Sequence, residues 1–308
     1  MNVVDGITGL IELFDRYPLV ALGEMHGIEQ GARFIEAVIR DPRFAERAST
    51  IVVEFGNARH QAIADAYVAG EDVAIEPAVH DFVGAGPTGF RAQIYFDFFA
   101  TVRAVNETLP TERRIRVLLG DPPLDWATAS PADVLAAADS RDEHFARVVG
   151  DRRNALLLAS AFHLMRTRVP PGGEGFVRML ERERPGESIV VMPHAHIRAG
   201  DRDEIDAKPA PLPVPSLVRI ADSWLEHASA DIFFGGCVTG PHGRDPFAHS
   251  GLTLGQLGDM YLYLGPIASL TWSPETLDPV DDSDRLELER RGKLWLMMSQ
   301  LMPDARAL

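Results

Sequence analysis

Leu19-Val20-Ala21-Leu22-Gly23-Glu24-Met25-His26-Gly27 sets four consecutive apolar residues ahead of a glycine, an acid and an imidazole. An apolar run without alternation predicts a strand buried on both faces, as in parallel sheets. Five further short runs read the same way: Ile51 to Phe55, Ile115 to Leu119, Ile189 to Met192, Asp231 to Phe234 and Tyr261 to Leu264. After the first run, Ile28, Ala32, Ile35 and Ile39 recur at helical spacing, and Asn57 is placed to cap a helix running toward Val68. Strand followed by helix, repeated, predicts an α/β fold with a mostly parallel β-sheet flanked by helices on both faces.

About sixty residues separate the second and third runs, too many for a plain crossover, so a helical excursion is expected around 57–110. A second helical insertion is expected around 131–184. Within it, Phe145, Val148, Arg152, Leu156, Ala159 and His163 follow steps of three and four and predict one long helix from about Asp142 to Arg168. Pro209, Pro211, Pro213 and Pro215 alternate and favour an extended loop from Gly200 to Pro215, and a closing helix is expected from Arg285 to Met302. No linker divides the chain, so residues 1–308 read as a single α/β domain.

Composition narrows the function. The chain carries 45 acidic and 30 basic residues in 308, a formal net charge of −15, with no cluster of Lys and Arg. That balance repels phosphate backbones and anionic lipid, which argues against nucleic-acid or membrane partners. No signal-peptide pattern opens the sequence, and the expected compartment is the cytoplasm. Cys237 is the sole cysteine, so an intrachain disulfide and a thiolate-rich metal site are excluded.

Chemistry collects past the strand ends. Glu24 and His26 follow the first strand, Glu54 closes the second, Asp121 follows the third, and His194 and His196 follow the fourth. Ligands of open parallel sheets bind outside the carboxyl ends of the strands, where loops and helix N-termini converge. Each residue alone reads most simply as a cap or a solvated end; four coincidences favour a site for a small-molecule substrate.

Taken with Val52-Val53-Glu54 and Val190-Val191-Met192-Pro193-His194-Ala195-His196-Ile197-Arg198, the Gly23-Glu24-Met25-His26-Gly27 element resembles the superfamily that groups erythromycin esterase-like hydrolases with ChaN-like haem-uptake and Tiki/TraB-type proteins. About twenty residues carry the resemblance. One residue separates Glu24 from His26, as in ChaN-like members, where erythromycin esterases have two. The later motif is His194-Ala195-His196 in place of an H-N-x-H pattern. Macrolide esters are therefore not implied as substrates. The resemblance implies the α/β fold and a catalytic part for the region of His26.

The leading expectation is a hydrolase that adds water to an ester or related acyl bond. His26 would be the general base, because imidazole titrates near neutrality. Glu24 or Glu54 would fix its tautomer, and His196 would donate to the oxyanion or the leaving group. His194, Asp121, His60 and Arg152 are the expected pocket and substrate-binding residues. No cofactor is required in this scheme. The same set supports two alternatives. Glu24, His26, Glu54, Asp121, His194 and His196 offer nitrogen and oxygen ligands suited to Zn, Mn or Fe, either to activate water or to hold a metal or haem without turnover. A third alternative is a degenerate member used for protein contacts. Cys237 with His242 and His249 is a weaker nucleophile candidate, more simply a buried filler. His80, His144 and His227 read as surface positions.

Overall fold

The computed structural model describes residues 3–81, 83, 92–168, 174–194, 206–234, 250–274 and 282–301. The eight strands among the described residues are β1 (Val3–Asp5), β2 (Leu19–Glu24), β3 (Thr50–Asn57), β4 (Arg116–Asp121), β5 (Ala155–Ser160), β6 (Ser188–Pro193), β7 (Ser216–Arg219) and β8 (Met260–Tyr263). Most pairs are parallel and helices connect them, which is an α/β fold. The chain divides into two compact units, each built from two stretches of sequence. One comprises residues 1–48 and 151–272, the other 49–150 and 273–308.

In the first unit the strand order is β1-β7-β8-β6-β2-β5. β2 pairs in parallel with β5 and β6, and β6 with β8. β7 runs antiparallel to both β8 and β1, making the sheet mixed at that side. Every residue of β2, β5 and β6 is buried, the two-sided burial that their unbroken apolar runs require. The helix Glu29–Arg40 forms where the spacing placed it and buries Phe34, Ile35, Val38 and Ile39 along one stripe.

In the second unit β3 and β4 pair in parallel. The expected excursion between them is helical: Gln61–Ala69, Glu76–His80 and Gln93–Thr108. Asn57 caps the 3-10 turn Ala58–His60 and not the helix toward Val68 itself, which begins at Gln61; its side-chain oxygen accepts from the Arg59 amide at 2.9 Å while its amide donates to the carbonyls of Asp81 and Leu124. The closing helix spans Asp282–Leu301, and its Leu294 and Trp295 pack against a cluster of Val83, Leu124, Trp126, Val134 and Ala137.

Three other expectations are corrected. The long helix does not form: a helix runs from Arg141 to Val149, the chain turns at Gly150, and Ala155–Ser160 is the strand β5. Asp231–Phe234 belongs to a short helix, Ala230–Phe234, because three consecutive apolar residues fit one turn of a buried helix as well as a strand. The described part of the proline-bearing loop is turned, not extended, with Ala210 N–H bonded to Asp206 C=O and Leu212 N–H to Pro209 C=O. Among the described residues no helix is long and apolar enough to cross a membrane.

Candidate functional site

β2 ends at Glu24, whose register partner on β5 is Ser160. Gly23 is hemmed in; a Cβ there would meet Pro193 Cδ at 2.7 Å and Ala161 Cβ at 3.3 Å, so the end of β2 lies tight against its neighbours. Beyond Glu24 the chain turns through Gly27 at φ +80°, a backbone state that favours glycine. The turn is closed by Ile28 N–H donating to Met25 C=O at 3.1 Å, and His26 lies within it. His26 Nδ1 lies 2.7 Å from Glu24 Oε2, with the carboxylate side chain 7% exposed and the imidazole 32% exposed. An ionised carboxylate can only accept, so Nδ1 carries the proton and donates, and in the neutral ring Nε2 is the basic nitrogen. Glu24 also lines a small apolar pocket with Leu22, Ile28, Phe34, Ile35, Leu262 and Leu270.

His194 follows β6, which is parallel to β2, so its backbone stands at the same end of the sheet. Its ring is fully buried and both nitrogens are engaged. Nε2 donates to Asp206 Oδ1 at 2.7 Å, and Nδ1 accepts from the Tyr261 hydroxyl. Burial holds its pKa below the ordinary 6.5, Asp206 pulling the other way, and the neutral ring suits its bond from Tyr261. Asp206 in turn accepts from the Ile267 amide. The sequence marked His194 as a pocket residue; its neighbours show a polar network in the core.

In the second unit, Glu54 and Asp121 share one cation. Arg141 Nη2 donates to Glu54 Oε1 and Nε to Asp121 Oδ1, each at 2.6 Å, and Asp121 also accepts from the Val83 amide. Burial raises the pKa of Asp121 while Arg141 works to lower it. The same burial works against the guanidinium charge, but Asp121 and Glu54 outweigh it and raise the pKa of Arg141. His60 Nε2 donates to Asp81 Oδ2 at 3.0 Å, and Arg291 donates to the other oxygen at 2.7 Å while lying over the Trp126 ring.

Glu24 and His26 thus meet directly, and Glu54 and Asp121 meet through Arg141. Arg152 is corrected: it is exposed in the turn before β5, whereas His163 follows β5, so the two flank opposite ends of a six-residue strand, about 20 Å apart along it. The stripe that aimed Arg152 at substrate does not exist. His144 is also corrected, being buried and donating from Nδ1 to the Gly120 carbonyl at 3.0 Å, with its pKa lowered by burial. His227 is exposed as expected. His196, Cys237, His242 and His249 lie outside the described residues. Among the described residues no three His, Cys, Asp or Glu side chains gather to hold a metal ion, and His194 has no ring nitrogen to spare for one. Arg141, Asp206 and Tyr261 were missed by sequence reasoning. Their partners are 12 to 87 residues away, and no local pattern marks them.

Solved structures of other proteins share this α/β arrangement. A mutant of erythromycin esterase EreC in its open conformation aligns with TM-score 0.58 and 10% identity over 89% of this chain and 99% of that one. A Bacillus cereus protein aligns with TM-score 0.58 and 11% identity over 84% of this chain and 91% of that one. A succinoglycan biosynthesis protein aligns with TM-score 0.55 and 8% identity, covering 84% and 90%. The chain shares their fold. No protein-family model matches it, and no curated protein does.

Proposed function

We propose that this protein is a hydrolase that adds water to an ester or related acyl bond of a small molecule, with His26 as the general base. The observation that carries the reading is the 2.7 Å bond between Glu24 and His26 at the carboxyl end of β2. A buried carboxylate on Nδ1 fixes the tautomer, assigns proton uptake to Nε2 and stabilises the imidazolium formed as water attacks. The carbonyl carbon gains the water oxygen, His26 takes the proton, and the same proton passes to the departing alkoxide as the tetrahedral intermediate collapses. The part-exposed imidazole gives water access, while the buried Glu24 resists solvent competition for Nδ1. In this scheme imidazole supplies the base and no metal ion is needed. His196 is assigned help to the leaving group. The shared fold with an erythromycin esterase supports hydrolysis in general and no particular ester.

A panel of small acyl esters assayed with wild type and His26→Ala tests the proposal. A loss of about a hundredfold or more in kcat is expected for removal of a general base. Hydrolysis at the wild-type rate in the variant would take His26 out of the reaction.

A further inference from the structure

Trp272 is the most exposed large hydrophobic side chain among the described residues, at 72%. Its backbone is nevertheless held firmly. Ile28 and Trp272 form an antiparallel bridge, Glu29 N–H donates to Thr271 C=O at 3.0 Å, and the Gln30 side chain bonds the Thr271 amide and hydroxyl and the Ser269 carbonyl. The six-membered ring of the indole lies against Gly27, the residue after His26: a Cβ at that position would fall 2.8 Å from Cε3 and 2.9 Å from Cζ3. Gly27 therefore serves two ends, the φ of +80° that closes the Met25–Ile28 turn following Glu24 and the close seat of the indole.

An indole exposed to water on a rigid support gains by covering a flat apolar group, and ordering such a platform costs little because its backbone is already fixed. We infer that Trp272 is a specificity residue whose exposed ring stacks on an aryl group in the acyl part of the substrate while His26, one residue from the seat of the indole, activates water. The inference rests on the proposed hydrolysis and narrows its substrate class to arylacyl esters.

The experiment measures kcat/KM for methyl phenylacetate and methyl acetate in wild type, Trp272→Ala and Trp272→Phe. The phenylacetate-to-acetate ratio is expected to fall about tenfold in Trp272→Ala, chiefly through KM, with most of it kept by Trp272→Phe, which retains a flat ring. An unchanged ratio in Trp272→Ala overturns the inference and leaves the base assignment standing. If wild type hydrolyses neither ester, the proposed reaction fails on these substrates, and the platform is read from binding alone. Phenylacetate titrated into wild type should then give a saturable change in indole emission that Trp272→Phe lacks; its absence overturns the inference.

Discussion

Arg141→Met tests how the second unit keeps two acids in its interior. The side chains of Glu54 and Asp121 are 6% and 1% exposed, and both spend an oxygen on this one guanidinium. Methionine fills much of the same volume but removes the cation that Asp121 and Glu54 share. Breaking a buried ion pair from one side costs about 3–5 kcal/mol, a large share of the roughly 5–15 kcal/mol that holds a typical protein folded. The penalty should depend on pH. Burial already raises the pKa of Asp121 against the pull of Arg141, so without that cation its folded pKa rises further above the unfolded one and the unfolded state gives up the proton more readily. Such a penalty is fully present above the folded pKa and fades as the pH falls through it. Between pH 7 and pH 5 the deficit relative to wild type should shrink by about 1–3 kcal/mol. Urea unfolding at both pH values, followed by tryptophan fluorescence and circular dichroism, reads the difference at constant m. Arg141→Lys should fall between, since one ammonium cannot reproduce a fork that reaches two separate acids. A deficit below about 1 kcal/mol, or one equal at both pH values, would refute this account of the cluster.

Three other outcomes are expected. Glu24→Gln keeps the size of the side chain but cannot stabilise an imidazolium, and should lower kcat on any accepted ester by about tenfold or more with little change in KM; an unaffected kcat would show that the carboxylate charge plays no part. His144 and His194 have folded pKa values below 6.5, so their contribution to stability is present above that value and is lost as the pH falls from it toward the folded pKa; thermal unfolding should show stability declining below about pH 6.5 by up to about 1.4 kcal/mol per pH unit for each proton, with a shallower slope in His194→Gln. Asn57→Ala strips a fully buried amide from three backbone partners, and a loss of about 2–4 kcal/mol in urea unfolding is expected, against which a loss within 0.5 kcal/mol of zero, by the same roughly drawn scale, would count.

The strands most legible in the sequence were those that pattern and punctuation marked together. β2, β3, β4, β6 and β8 are apolar runs closed by polar or glycine residues, and each formed within a few residues of its expected place. β5 escaped because Ala-Leu-Leu-Leu-Ala-Ser has no period of its own, so Leu156 and Ala159 fitted the helical stride begun at Phe145 equally well; only pairing with β2 decides for a strand. The Glu24–His26 pair was legible since both residues sit two apart on one short turn. Arg141 was not, because an arginine opening a polar helix looks like any solvated charge until the fold brings Glu54, 87 residues away, to its side. His144 was misplaced for the same reason: a lone imidazole on a polar helix gives no sign that the Gly120 carbonyl waits for it.

β2 has both its neighbours far downstream: Leu19 is paired with Ala155 and Ser188, separations of 155 − 19 = 136 and 188 − 19 = 169 residues. During synthesis this greasy segment must leave the ribosome and wait, with two open hydrogen-bonding edges, while well over a hundred further residues are added. Such a chain places its early demand on chaperones, which would make expression at low temperature or slowed translation a practical route to soluble material.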